Sequence, residues 1–425
     1  MKLIRTYGDT GEAAEAVLRQ IERRGAANTA KVDGIVREIV QSVRAIGDEA
    51  LLAYAKRFDH LSPDCTELRV TREEMQSAWE ATAPELREAM QLAQSNIRSF
   101  AEAQKPKEWQ REVAAGVVTG QIVRPLDSVG CYVPGGRYPL PSTLLMTATP
   151  AQVAGVRRIV VCSPNPARET LAAAWIAGIS EFYKVGGAQA VAAMAYGTKT
   201  VGRVEKIVGP GNLYVTAAKL MVSEDCGIDM PAGPTEIGVA SVNGNAQGIA
   251  ADLVAQAEHD PEALAVLITP NEALGQHVLA QVEAQSRSNA IAQKSLSAHG
   301  FVFVTESATE MRTLTNRLAF EHLTVDSMED LAWIENAGSV FVGDFSPQSM
   351  GDYVSGPNHV LPTGRAGRFR GGLSVADYVK VITVQHYTRE GLALFGPHAI
   401  ALAQAEGLTA HAASVHMRLY AEGRG

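Results

Sequence analysis

The segment that decides the fold is RIVVCSPNPARETLAAAWIAGISEFYKVGGAQAVAAMAY, residues 158–196. Within it, strand-like apolar runs at 158–162 and 181–185 alternate with helical patterns at 169–176 and 188–196. Short connections between alternating strands and helices are typical of a parallel sheet that carries helices on both faces. The segment therefore predicts an α/β fold.

The alternation continues on both sides of this segment. Strand-like residues 121–133 precede it, and a second series of strands and helices runs from 237 to 342. Residues 1–103 have mostly helical patterns, and so does the tail after Leu373. We predict two incomplete Rossmann-like parallel-sheet domains without the Gly-x-Gly-x-x-Gly fingerprint, a helical N-terminal segment and a small, mostly helical C-terminal tail.

Length, charge and cysteine spacing narrow the class of protein. A chain of 425 residues exceeds the size of one hydrophobic core, so two or more domains are expected. The net charge of -8 and the scattered basic residues argue against a nucleic-acid partner, and Arg365–Arg370 is expected to be a solvated loop. The four cysteines lack Cys-x-x-Cys spacing, so no thiolate metal site is predicted.

Without a signal core or an apolar run of membrane length, we expect a cytoplasmic protein with no membrane partner.

Glycine clusters follow three of the predicted strands, at Pro134-Gly135-Gly136, Gly186-Gly187 and Gly209-Pro210-Gly211. Ligands of open parallel sheets bind outside the carboxyl ends of the strands. Glycine lets a phosphate-bearing ligand approach the backbone closely, although tight strand-to-helix turns also need glycine. The three clusters together predict a nucleotide-sized ligand.

Nitrogen and oxygen donors suited to a metal ion occur at several places. Gln256 and His259 leave one face of a predicted helix end, one turn apart. Asp352, His359 and His411 add a carboxylate and two imidazoles. Such a mixed set without thiolate suits zinc or another divalent metal in an open site. The alternative is that these are unrelated surface residues, because sequence separation does not show whether they meet.

An adjacent acid and imidazole, Glu321 and His322, are candidates for acid–base chemistry. Neighbouring side chains on a helix diverge, so the two would serve different steps rather than form one dyad. A histidine with an ordinary pKa is a suitable general base near neutral pH. The alternative is an exposed helix end.

Taken together, these motifs resemble the histidinol dehydrogenase family over nearly the whole chain. The segments that carry the resemblance, in chain order, are GCYVPGG (130–136), VGGAQA (185–190), GPGN (209–212), DMPAGPTE (229–236), QAEH (256–259), EHL (321–323), SGPNHVLPT (355–363) and LTAH (408–411).

The resemblance implies a zinc- and NAD-dependent enzyme with Glu321 and His322 as catalytic residues. The implied zinc ligands are Gln256, His259, Asp352 and His411. The implied NAD contacts are Tyr132, Gln189 and Asn212. The implied substrate pocket consists of the four zinc ligands, the two catalytic residues, Thr235, His359 and Glu406.

The resemblance also implies an intertwined homodimer in which the tail of one subunit completes the active site of its partner. The corresponding division of the chain has an N-terminal arm, residues 1–27, that packs with the tail. Residues 28–127 and 236–372 form the domain with the zinc ligands and catalytic residues. Residues 128–235 form the NAD-binding domain, and residues 373–425 form the dimerisation tail.

The implied reaction is oxidation of L-histidinol to L-histidine with two NAD through bound L-histidinal, the last step of histidine biosynthesis. Thr235 stands where many members have serine, and the segment Arg365–Gly372 varies, so the exact substrate stays open. Glu406 beside His411 favours an amine- and imidazole-bearing substrate. The alternatives are a zinc- and NAD-dependent dehydrogenase of another small alcohol on the same fold, a zinc hydrolase that uses Glu258 or Glu321 without the His-Glu-x-x-His spacing, and an inactive metal-binding protein.

Overall fold

The computed structural model describes residues 1–24, 29–135 and 138–420. It divides into two compact units. The first unit consists of Met1–Gln104 and Leu126–Tyr378, and the second consists of Lys105–Pro125 and Val379–Gly425. Among the described residues, every helix is too short or too polar to cross a membrane.

The strands and helices are numbered in chain order. The strands are β1 (Lys2–Arg5), β2 (Arg69–Val70), β3 (Trp109–Ala114), β4 (Val117–Pro125), β5 (Ser128–Tyr132), β6 (Arg158–Cys162), β7 (Glu181–Tyr183), β8 (Lys206–Val208), β9 (Gly227–Ile228), β10 (Glu236–Ala240), β11 (Leu264–Thr269), β12 (Gly300–Val304), β13 (His322–Val325), β14 (Ser339–Val342) and β15 (Val379–Tyr387). The α-helices are α1 (Gly11–Glu22), α2 (Asp33–Ile46), α3 (Asp48–Phe58), α4 (Arg72–Glu80), α5 (Pro84–Gln104), α6 (Pro141–Ala154), α7 (Arg168–Ile176), α8 (Gly187–Tyr196), α9 (Leu213–Val222), α10 (Ala246–Ala257), α11 (Glu272–Gln285), α12 (Ala290–His299), α13 (Ala308–Leu318), α14 (Gln348–Tyr353), α15 (Arg389–Ala405) and α16 (Thr409–Leu419).

One six-stranded sheet, here sheet I, contains the segment that decided the fold. Its strand order is β2-β7-β6-β5-β8-β9, parallel except for β2 at the edge. Helices α2, α3, α8 and α9 cover one face with a continuous apolar core that includes Val36, Leu51, Ala192 and Val215. Helix α6 is apolar on all sides and contacts β5 and β6, which explains its burial.

A second six-stranded sheet, sheet II, is parallel throughout with the order β1-β12-β11-β10-β13-β14. Its central strands β11 and β12 are buried on both faces and are accordingly rich in Val, Ile, Leu and Phe. The core on one face includes Leu253, Val278 and Leu296, and the core on the other includes Leu18 and Leu314. The structure therefore confirms the predicted α/β fold with parallel-sheet domains and many helices.

Two segments of the first 127 residues pack on the parallel sheets. In the arm, residues 1–27, β1 pairs with β12 and α1 packs on sheet II; residues 25–27 lie outside the described part of the chain. The packing of this arm with the tail stays a prediction. Residues 28–127 were expected to share a domain with residues 236–372, but α2 and α3 pack on sheet I. An apolar helix stripe does not encode which sheet it covers, so sequence patterns alone could not decide this.

The second unit is built around a three-stranded antiparallel sheet of order β15-β4-β3. Strand β15 pairs with β4 along nine residues, so the predicted tail contributes a strand as well as the helices α15 and α16. This sheet also takes Lys105–Pro125, which the sequence assigns to another domain. The β-branched run VKVITV in β15 is the signal for this strand.

Candidate active site

Glu321 and His322 lie at the amino end of β13, next to the amino end of β10. Helix α13 ends at Leu318, and Ala319 in the left-handed region (φ 52°) turns the chain back into the sheet. Both side chains of the pair are buried, with 6% and 4% of each residue exposed. The alternative of an exposed helix end is therefore wrong.

Three groups from neighbouring elements hold the Glu321 carboxylate. The hydroxyl of Thr235, directly before β10, donates to Glu321 Oε2 at 2.6 Å. The backbone N–H of Glu236 donates to the same oxygen at 2.9 Å. His322 Nδ1 lies 3.5 Å from it. One carboxylate oxygen is thus fully engaged by the protein.

His322 makes its closest hydrogen bond through Nδ1, which lies 3.2 Å from the carbonyl oxygen of Glu236. Its Nε2 faces Asp352 Oδ1 at 4.0 Å. Burial lowers the pKa of His322, but the charges of Glu321 and Asp352 and the bond to the carbonyl outweigh it, so the pKa is raised. With its Nδ1 hydrogen on the carbonyl, the neutral ring offers the Nε2 lone pair as a base.

Gln256 belongs to the same cluster, because the last turn of α10 brings it against Thr235 and His322. Its Nε2 donates to Thr235 Oγ1 and lies 3.4 Å from His322 Nδ1. Gln256 is buried, whereas His259, one turn further at the helix end, is exposed. The two predicted ligands therefore share one helix end but differ in accessibility.

Asp352 is on α14, which packs against α10. His359 Nδ1 donates to the backbone carbonyl of Asp352 at 2.9 Å, and His359 Nε2 faces the Thr143 hydroxyl at 3.1 Å. Burial lowers the pKa of His359, although the charge of Asp352 opposes it. Both ring nitrogens of His359 are therefore used within the protein.

A pocket of about 380 Å³ opens beside this cluster. This volume suits a small molecule. Its lining includes His322, Phe341, Asp352, Asn358 and His359. The His322 ring stacks on Phe341 with centroids 6.1 Å apart, which fixes the imidazole plane. The pocket thus joins the predicted general base to two predicted substrate contacts.

One residue in this cluster was missed from the sequence. Glu236 is 5% exposed, accepts from the Gly364 N–H at 3.2 Å and supplies backbone bonds to both catalytic residues. Burial and the neighbouring Glu321 charge raise the pKa of Glu236 to about 7. Glu236 is the last residue of the motif DMPAGPTE, but nothing in the spacing of that motif marks it as a functional residue.

The two remaining predicted residues, Glu406 and His411, belong to the second unit. Glu406 caps the carboxyl end of α15 and His411 lies in the first turn of α16. Both residues are exposed on that unit.

The side chains that could hold zinc in the first unit are Gln256, His259 and Asp352. Within the described residues, no group of three or more His, Cys, Asp or Glu side chains is placed to hold a metal ion. The first unit supplies an amide, an imidazole and a carboxylate, which is a chemistry that zinc accepts. Thr235 accepts from the Gln256 amide nitrogen, so the amide oxygen of Gln256 is the atom left for a metal. The donor chemistry fits zinc.

The predicted NAD contacts lie at the carboxyl edge of sheet I. Tyr132 ends β5, Gln189 lies in the first turn of α8 and Asn212 caps α9. The Tyr132 hydroxyl accepts from the Gly187 N–H at 3.1 Å, and Asn212 Oδ1 accepts from two N–H groups of α9. Tyr132 and Gln189 are buried, whereas Asn212 is exposed.

The glycine clusters meet at this same edge. Gly209 has φ 115°, and a side chain there would overlap the carbonyl oxygen of Tyr132. This glycine is therefore required by the turn and by the close approach of β5. Gly136, the last residue of the first cluster, lies outside the described residues.

Comparison with known proteins shows the family of this chain. The family model of histidinol dehydrogenase matches residues 22–419. The chain belongs to the histidinol dehydrogenase family. The histidinol dehydrogenase of Vibrio parahaemolyticus is 45% identical over 420 residues, covering 96% of each chain. That of Methanothermobacter thermautotrophicus is 45% identical over 416 residues, covering 95% of this chain and 97% of the relative.

The similarity to histidinol dehydrogenases extends over the whole fold, as a solved structure shows. The crystal structure of histidinol dehydrogenase from Elizabethkingia anophelis has a TM-score of 0.92 to this chain and 36% sequence identity. The match covers 99% of this chain and 98% of the Elizabethkingia anophelis chain. Both parallel sheets and the second unit therefore fall within the shared fold.

Proposed function

We propose that this protein oxidises L-histidinol to L-histidine in two NAD-dependent steps through bound L-histidinal, the last step of histidine biosynthesis. The observation that carries the proposal is the buried cluster of Thr235, Gln256, Glu321 and His322 in a chain of the histidinol dehydrogenase family. Membership of this family does not favour another small alcohol or zinc hydrolysis.

His322 is the base of the first step. Its Nε2 takes the hydroxyl proton of the alcohol, while a hydride leaves the carbinol carbon and the aldehyde forms. Bound NAD supplies the hydride acceptor in each of the two oxidations. The Glu236 carbonyl holds the opposite ring nitrogen and so keeps Nε2 available.

Glu321 acts in the second step. Thr235 and Glu236 fix one carboxylate oxygen, which leaves Oε1 to remove a proton from a water that attacks the aldehyde carbon. The protonated His322 returns its proton to the aldehyde oxygen as the hydrate forms. The hydrate then loses a hydride from carbon to the second NAD, and the neutral His322 accepts a hydroxyl proton as the carboxylic acid forms. Water thus supplies the second oxygen of the product.

Gln256, His259, Asp352 and His411 would hold zinc. When bound, the metal would orient the amine and imidazole nitrogens of the substrate. Gln256 lies within the catalytic cluster, and Asp352 faces His322 at 4.0 Å, which supports a metal beside the reacting carbon. His359, which lines the pocket, would contact the substrate, and Glu406 would contact it through its charge.

Tyr132, Gln189 and Asn212 would contact NAD. Their common position at the carboxyl edge of sheet I supports this assignment, because that edge is the usual ligand side of such sheets. In this assignment sheet I serves the cofactor and sheet II serves the chemistry, each as an incomplete Rossmann-like domain.

The second unit would form the dimer contact and supply Glu406 and His411 to the partner's site. The large apolar side chains that this unit exposes support this, since exposed apolar surface is typical of protein–protein contacts. The exposed large apolar residues of this unit include Trp109, Val381, Ile382, Leu394, Leu402, Met417 and Tyr420. Cytoplasmic residence and the absence of a nucleic-acid partner stay predictions from the sequence.

The decisive test is stoichiometric. Purified protein with NAD and limiting L-histidinol should form two reduced NAD per L-histidinol consumed, should lose this activity to a chelator and should regain it with zinc. A ratio of one would contradict the second oxidation. Absence of reduced NAD with turnover would favour a hydrolase, and faster turnover of an alcohol without imidazole would favour the other dehydrogenase.

A further inference from the structure

Asp59, which is distant in sequence, lies at the carboxyl edge of sheet I beside the proposed NAD contact Gln189. It follows the last residue of α3 and is 7% exposed. Its Oδ2 accepts from the Gly186 N–H at 3.0 Å and from Gln189 Nε2 at 3.2 Å. These partners lie 127 and 130 positions further along the sequence, so only the packing of α3 on sheet I brings the carboxylate there.

The carboxylate determines which way the Gln189 amide faces. An ionised carboxylate only accepts hydrogen bonds, so it draws the NH₂ group toward itself and turns Oε1 away. Gln189 Oε1 lies close to Gly187: a Cβ atom at position 187 would be 2.7 Å from this oxygen. Gly187 has φ 61°, and its N–H is held by the Tyr132 hydroxyl. The turn and the amide are therefore fixed together.

The charge itself is suited to this place. Asp59 lies at the amino end of the ten-residue helix α8, where the helix dipole favours an anion. Burial raises the pKa of Asp59, and the bonds from Gly186 and Gln189 oppose that change. Its bonding partners are thus two N–H donors that depend on the negative charge for their strength.

We propose that Asp59 is a positioning residue for NAD, which fixes Gln189 so that the amide oxygen faces the cofactor as an acceptor. The complementary cofactor group is an N–H or O–H donor, such as a carboxamide or a ribose hydroxyl. This inference rests on the proposed contact between Gln189 and NAD.

The test compares Asp59→Asn with Asp48→Asn. Asp48 begins the same helix α3 and holds the Thr200 N–H and hydroxyl, at 3.2 and 2.9 Å, in a comparable way. Asparagine at 59 keeps the shape but allows the Gln189 amide to flip. We expect Asp59→Asn to raise KM for NAD about tenfold, the effect of one lost charge-assisted hydrogen bond. KM for L-histidinol and kcat at saturating NAD should stay within about twofold, and Asp48→Asn should leave KM for NAD unchanged.

Gln189→Ala separates the premise from the inference. If it raises KM for NAD while Asp59→Asn does not, the role of Asp59 is overturned and the NAD contact stands. If Gln189→Ala leaves KM for NAD unchanged, Gln189 does not contact NAD, and the proposed role of Asp59 is overturned as well. A fall in melting temperature with equal changes in both KM values would mean a structural role only and also overturns the proposal. Asp59→Ser, which adds no bulk, takes the place of Asp59→Asn if that variant does not fold.

Discussion

The hydroxyl of Thr235 donates to Glu321 Oε2 across 2.6 Å and at the same time accepts a hydrogen bond from Gln256 Nε2. One oxygen therefore links the proposed hydration base to a proposed zinc ligand. The hydroxyl makes both bonds and the methyl group only adds bulk, so serine would serve equally at this position.

Removing that hydroxyl should uncouple the two groups. We expect Thr235→Val, which keeps the shape, to slow oxidation of L-histidinal about a hundredfold, because Glu321 and Gln256 both lose a partner. Thr235→Ser should stay near the rate of the parent enzyme. Single-turnover rates with L-histidinal measure this, and equal losses in both variants would show that the methyl group matters rather than the hydroxyl.

Glu321 and His322 should separate the two oxidations. His322→Asn removes the base of both steps, so the rates with L-histidinol and L-histidinal should each fall about 10²- to 10⁴-fold. Glu321→Gln should slow L-histidinal oxidation by a similar factor and change alcohol oxidation much less. Rates with the two substrates, measured separately at saturating NAD, test this; equal loss in both for Glu321→Gln contradicts the division of roles.

A shared active site should be visible by complementation. His322→Asn and His411→Ala are each expected to be inactive as pure proteins. Mixed dimers would contain one site with neither lesion, so random assembly should restore about a quarter of the parent activity. A mixture of His322→Asn with Glu321→Gln should not recover, because both residues come from one unit of the same chain. No recovery in the first mixture would place His411 in its own subunit's site.

Arg317 ties α1 to sheet II and should make stability depend on acid. Its guanidinium bonds Glu15 at 2.7 Å and Glu22 at 2.9 Å. The hydrogen bond from Arg317 lowers the pKa of Glu15 to about 2 and also lowers that of Glu22, from an ordinary value of 4.5. Because the folded pKa values lie below the unfolded ones, this contribution is complete above pH 4.5 and is lost as pH falls toward 2.

We therefore expect Arg317→Leu to lower the free energy of unfolding by about 1–2 kcal/mol near pH 7. The difference from the parent should shrink as pH falls from 4.5 toward 2. Arg312→Leu is the control, since Arg312 lies on the same helix and stacks over Trp333 at 5.9 Å. Denaturant titrations at several pH values measure both, and a difference that grows in acid would contradict the assignment.

Gly238 should be a site where one methyl group disturbs the catalytic strand. A Cβ atom there would overlap the ring of Phe320, the residue before Glu321. We expect Gly238→Ala to cost about 1–3 kcal/mol of stability and to lower activity by displacing Glu321. Gly248→Ala in α10 is the matched control, because its nearest neighbour is 4.0 Å away, and helix propensity should make it neutral or stabilising by up to about 1 kcal/mol. Thermal unfolding and kcat distinguish the two; normal activity in Gly238→Ala would contradict the link to Glu321.

Much of the fold followed from local patterns. The alternation over residues 158–196 predicted the parallel strands of sheet I, because periods of apolar residues and short connections are local properties. The glycines after the strands and the adjacent Glu321 and His322 were also visible. Their roles came from motif order, and those roles stay predictions for the zinc, NAD and substrate contacts.

The sequence by itself thus determined most of the strands and helices of the two parallel sheets and which residue types could carry chemistry. Only the tertiary structure decided that β1 completes sheet II, that α2 and α3 cover sheet I, and that Asp59 reaches Gln189. The reason is that periodicity and spacing act over one turn or one strand, whereas these contacts join residues more than 100 positions apart. Their geometry depends on which apolar faces bury each other, and that choice is made by the folded chain as a whole.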